Sequence, residues 1–115
     1  MNKKMILLSI LVIILLVALS LPPIFHVKEQ TSIKENAAEI CIKACKEAMI
    51  SGVDLLNGPC LLNPINEMPD WVCDVVNSPR QWVDDLPENQ CSAFREGRAK
   101  HFVEVSIKCE LVRAV

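Results

Sequence analysis

One segment decides how the rest of this chain has to fold. Residues 5–21 carry no charge and only two polar side chains, Ser9 and Ser20, behind a short basic start at Lys3 and Lys4. As an α-helix, roughly 17 residues rise about 25 Å, near the lower end of what crosses hydrocarbon. A helix packed into a water-soluble core would show a polar stripe, and this run has none. The segment therefore predicts a membrane partner: a signal-anchor over residues 1–25, with Lys3 and Lys4 held on the cytoplasmic side and everything beyond facing outward. Ala18 and Ser20 also occupy the −3 and −1 positions of a cut after Ser20, which would release the remainder. The expected address is the cell membrane, single-pass with the C-terminal domain outside, or secreted if that cut is made.

The residues beyond the apolar run must fold without it. The whole chain has 115 residues and a formal net charge of −2, from 12 Lys and Arg against 14 Asp and Glu. That length supports one domain, and the balanced charge excludes nucleic acid as a primary partner. Pro22 and Pro23 end or kink the first helix, and residues 26–32 read as a spacer. Ser32 and Glu35 then fit a capping box. Ala37, Ile40, Cys41, Ala44, Cys45 and Ala48 follow at spacings of three and four, which predicts a helix over residues 33–51 ending at Gly52.

Beyond Gly52 the pattern becomes turn-rich. Asn57-Gly58-Pro59, Asn63-Pro64, Asn77-Ser78-Pro79 and Leu86-Pro87 mark turns, and residues 71–76 form a run of strand formers. Val103, Val105, Ile107, Cys109 and Leu111 alternate with polar residues. They predict one long strand, or two strands joined by an unmarked turn near residues 106–108. Residues 81–98 read as loop with a helical turn near 92–96. The fold class is α+β: the apolar helix, then an extracytoplasmic domain over 33–115 in which one amphipathic helix packs on a small antiparallel sheet.

All six cysteines, Cys41, Cys45, Cys60, Cys73, Cys91 and Cys109, lie beyond the apolar segment. An even count in a small exported domain predicts a disulfide framework. Cys41 and Cys45 stand one helical turn apart, with Cβ atoms about 5–6 Å from each other, too far for the roughly 3.8 Å of a disulfide. Their mutual pairing is disfavoured, so both should bond to later segments. Each closed loop would add about 3 kcal/mol in the chain-entropy model, a large share of a small domain's stability. Zinc would need a second close cysteine pair, which the sequence lacks, and no Cys-x-x-Cys supports redox exchange.

The remaining chemistry is sparse. His101 has no nucleophile motif with it and reads as a surface residue at a strand entrance. Asp84, Asp85 and Glu88 lack the spacing of a calcium loop and read as a solvated loop. Arg95, Arg98, Lys100 and His101 form a basic patch, the one candidate ligand site, suited to an anionic group. Trp71 and Trp82 read as core anchors. No catalytic, metal or cofactor motif emerges.

The order of parts, apolar helix then amphipathic helix then disulfide-linked sheet, resembles type IV pilins and pseudopilins. That resemblance implies self-assembly through residues 5–21. Lys4 stands where that family has a glycine before its processing site, and Ser9 where it has a glutamate. Trp71-Val-Cys-Asp-Val, Pro87-Glu-Asn-Gln-Cys91 and His101-Phe-Val-Glu-Val resemble stretches of small exported, cysteine-rich proteins of archaeal type that carry no assigned activity. The expected role is structural or interaction-based, not catalytic, with the membrane and other surface proteins as partners. A pilin-like filament subunit and a released small enzyme or inhibitor are the alternatives.

Overall fold

The computed structural model describes residues 2–20 and 24–115, without the side chains of 24–29. Contacts divide the chain into two units, Met1–Thr31 and Ser32–Val115. The proline break expected at Pro22 and Pro23 lies outside the described residues.

In the first unit, helix α1 spans Lys3–Ser20. None of its residues is buried, and by length and composition it suffices to cross a membrane. The hydroxyls of Ser9 and Ser20 donate to the carbonyls of Met5 and Val17, each at 2.9 Å. The two polar side chains of the run are thus satisfied within their own helix.

Helix α2 covers Ile24–Ile50, starting earlier than the expected 33. Between Pro23 and Gly52 the sequence contains neither proline nor glycine, so nothing in it interrupts a helix. Residues 26–32, read as spacer, are helical, and Ser32 is a helical position and not an N-cap. At the other end Gly52 takes φ +83°. Its N–H donates to Met49 O at 3.2 Å, while Val53 N–H reaches Ala48 O at 3.0 Å. These two bonds make a Schellman ending, which needs the left-handed conformation glycine tolerates.

Four strands form one sheet in the order β1 (Cys60–Leu62), β2 (Trp71–Val76), β3 (His101–Ser106), β4 (Leu111–Ala114). The expected all-antiparallel sheet is instead mixed. β1–β2 and β3–β4 pair antiparallel, whereas β2 and β3 run parallel, from Trp71 beside His101 to Val76 beside Ser106. A parallel neighbour requires a crossover connection, and residues 77–100 supply it through two 3₁₀ turns, Trp82–Asp85 and Pro87–Asn89, and the short helix α3 (Ser92–Arg95). Their polar composition disguised a connection that covers a sheet face. β2 is buried along its whole length because both faces are covered.

On one face, Ala37, Ala38, Cys41 and Cys45 of α2 meet Trp71, Cys73, Val75, Val103 and Val105. These helix side chains are small, so the backbone can approach the sheet closely. The other face holds a second cluster of Val72, Cys91, Ala93 and Ala99, with Phe102 packed against it. Disulfides tie both layers. Cys41–Cys73 joins α2 to β2, Cys45–Cys109 joins α2 to the β3–β4 turn, and Cys60–Cys91 joins β1 to the crossover, with Cα separations of 5.4, 5.5 and 5.0 Å. No cysteine is free.

Of the two arrangements the alternation allowed for residues 103–111, the structure takes two strands with a turn. Cys109 adopts φ +61° there, a conformation that usually selects glycine or asparagine. Ser106 Oγ accepts the N–H groups of Lys108 and Glu110, both at 3.2 Å, and the bridge to Cys45 anchors Cys109 itself. The turn therefore carries none of the usual residue signals.

Candidate functional site

The sheet face away from α2 carries what a core strand normally avoids. Asp74 in the middle of β2 and Glu104 in the middle of β3 are register neighbours, and both are buried. Glu104 is compensated. Arg80 Nη1, from the start of the crossover, donates to its Oε1 at 3.0 Å, and Arg113 Nε, from β4, donates to its Oε2 at 2.6 Å. Arg80 also donates from Nη2 to Asp85 at 2.9 Å. Hydrogen bonds to Asp85 and Glu104 raise the Arg80 pKa above the usual arginine value, and those to Glu104 do the same for Arg113. Both guanidiniums stay charged.

Asp74 is left without such help. Its Oδ1 is buried with no hydrogen-bond partner. Burial first, then the Glu104 carboxylate beside it, push the Asp74 pKa from 3.8 up to about 8, with Arg80 opposing and Asp84 adding to the rise. Near neutral pH Asp74 therefore keeps its proton, because a second charge beside Glu104 in a dry site is costly.

A cavity of about 230 Å³ opens over this pair. Asp74, Glu104, Arg80, Arg95 and Arg113 supply its polar wall, and Val72, Phe94 and Phe102 its apolar one. Phe94 meets Phe102 edge to face at 4.9 Å, and the Arg113 guanidinium lies 4.8 Å over the Phe102 ring. Helix α3, which carries Phe94 and Arg95, is fixed by Asn63: its Nδ2 donates to Ser92 Oγ at 2.7 Å, and its Oδ1 accepts Ala93 N–H at 2.8 Å.

Of the sequence-predicted basic patch, one residue lines this cavity. Arg95 reaches the cavity wall, while Arg98, Lys100 and His101 do not line it. Arg98 pairs with Glu96 at 2.9 Å. Lys100 N–H donates to Asp70 Oδ1 at 2.9 Å. His101 stacks on Trp71 with ring centroids 4.7 Å apart, its Nε2 3.6 Å from Asp70 Oδ2. Trp71 is a core residue as read, but Trp82, also read as a core anchor, is 77 % exposed, because it sits on a 3₁₀ turn outside both clusters.

The acidic loop departs from its expectation at Asp84, while Asp85 and Glu88 are exposed as read. Asp84 is fully buried and accepts Asn77 N–H and Asn77 Nδ2 at 3.0 Å each and Gln81 N–H at 2.8 Å. It organises the crossover's start and is not solvated. Asp85 is the Arg80 partner. With all six sulfurs in disulfides, no thiolate remains for zinc, and no three His, Cys, Asp or Glu side chains group around a metal among the described residues.

Sequence reasoning missed Asp74, Glu104, Arg80 and Arg113. The signal was present in part: Asp74 interrupts Trp-Val-Cys-Asp-Val-Val, and Glu104 sits between Val103 and Val105. Compared with known proteins, the chain matches no family model, no curated protein and no solved structure.

Proposed function

We propose that this chain works outside the cytoplasm as a membrane-anchored interaction domain, held by residues 5–21 and not catalytic. One observation carries the reading. All six cysteines are paired within the unit Ser32–Val115, in bridges that join different elements, while α1 exposes apolar side chains along its length. Such bridges persist where the surroundings are oxidising, and an apolar helix without a buried face calls for lipid.

Binding is favoured over catalysis by the state of the ionisable groups. Both Glu104 oxygens are taken by guanidiniums, which leaves no free base beside the Asp74 acid. His101 is stacked on Trp71 and does not line the cavity.

The test is fractionation of cells producing the full chain, then non-reducing intact mass and N-terminal sequencing. The reading expects recovery with membranes, the original N-terminal segment retained, and a mass six hydrogens below that of the reduced chain. A mature N-terminus at Leu21 would make the protein secreted. Free thiols in a soluble cytosolic pool would refute it.

A further inference from the structure

The cavity over β2 and β3 has a charge balance and a shape that select a ligand class. Three guanidiniums, Arg80, Arg95 and Arg113, face two carboxyls, Asp74 and Glu104. Asp85, outside the lining, also holds Arg80, so the charges balance when all three carboxyls are ionised. Arg80 and Arg113 are committed to Glu104, whereas Arg95 makes no ion pair among the described residues and stands exposed at the wall. A cationic ligand would have to displace or face these guanidiniums. An anion meets an unspent one.

Apart from Gln90, the rest of the wall is apolar. Val72, Phe94 and Phe102 form it, and Phe94 remains 41 % exposed despite its contact with Phe102. A dry cavity of about 150 Å³ admits benzene. The 230 Å³ here takes a ring with a few further atoms. Asp74, more than nine-tenths buried with an unpartnered Oδ1, is an incompletely satisfied polar side chain in that same wall. A buried polar atom without a partner calls for an explanation, and recognition of a ligand in this cavity supplies one.

We propose that this cavity binds a small aromatic carboxylate, its ring against Phe94 and Phe102 and its carboxylate on the Arg95 guanidinium. Arginine's planar fork is the donor suited to a bidentate contact with a carboxylate. This inference rests on the reading of the domain as an interaction module and gives that module its ligand chemistry.

The experiment uses one shape with three charges: phenylacetate, phenylacetamide and phenethylamine, titrated into the full oxidised chain in detergent and followed by amide NMR shifts at Phe102 and Glu104. Phenylacetate should saturate, with the amide at least about tenfold weaker and the amine weaker still. Arg95→Gln should weaken phenylacetate about tenfold and leave the amide unchanged, a pattern that misfolding would not give. Equal binding of amide and carboxylate, tighter binding of the amine, or no saturation by phenylacetate would each overturn the proposal. Because export and disulfide content are measured separately, a failure here with intact bridges and membrane recovery refutes the ligand assignment alone.

Discussion

Asp74 is the residue at which this fold works against itself. Its folded pKa of about 8 lies above its ordinary 3.8, so between those values the folded protein keeps a proton that the unfolded chain has released. Stability contributed by Asp74 is therefore greatest at low pH, falls through that window by at most about 1.4 kcal/mol per pH unit, and levels off above about pH 8. Asp74→Asn keeps the shape and removes the proton linkage. Chemical denaturation of both proteins at about pH 5.5 and 7.5, bridges intact, should show the variant gaining roughly 2–3 kcal/mol relative to the parent on going up. A pH-independent difference would contradict the assignment. A second residue to test is Gly58, which sits at φ +64° beneath Asp84. A Cβ there would press on Asp84 Oδ1 and come 2.9 Å from the Val75 carbonyl. Gly58→Ala should cost at least about 2 kcal/mol, read as a lowered denaturation midpoint.

Among the elements, the three bridges staple helix to sheet and sheet to crossover. Removing Cys45–Cys109 as a double serine variant should cost about 2–5 kcal/mol and speed amide exchange at Ser106 and Cys109, whose turn the bridge anchors. Its sequence separation of 64 is about twice the 31 of Cys60–Cys91, so its loss should cost about 0.6 kcal/mol more in the loop-closure model. Equal exchange rates with and without the bridge would show that Ser106 alone holds the turn. Elements with a strong period were legible from sequence: the small-residue stripe of α2, the strand-forming run of β2, the alternation of β3. The parallel pairing was not, because it is decided by where a polar crossover lies and not by the strands' own composition. The β3–β4 turn was hidden for a related reason, since a disulfide partner and a serine hydroxyl replace the usual glycine.

For the molecule as a whole, the sequence changes from apolar to polar after residue 21, whereas the contact boundary lies at Thr31 and Ser32, inside α2. The cavity could not be read in the same way. Val72 and Asp74 come from one strand, Phe102 and Glu104 from another, Arg113 from a third, and Arg80 and Arg95 from opposite ends of the crossover. Only register brings them together, and a one-residue slip of β2 would turn Asp74 toward the α2 face. Since Cys73 and Asp74 are adjacent and face opposite layers, the bridge to Cys41 also fixes which way Asp74 points. Fold and cavity alike depend on an oxidised framework of three bridges. Disulfide mapping of the full chain, isolated from membranes with thiols trapped at lysis, tests that dependence at its root. Linked peptides for Cys41–Cys73, Cys45–Cys109 and Cys60–Cys91 with no trapped thiol are expected; alkylated cysteines throughout, or a different set of pairs, would contradict it.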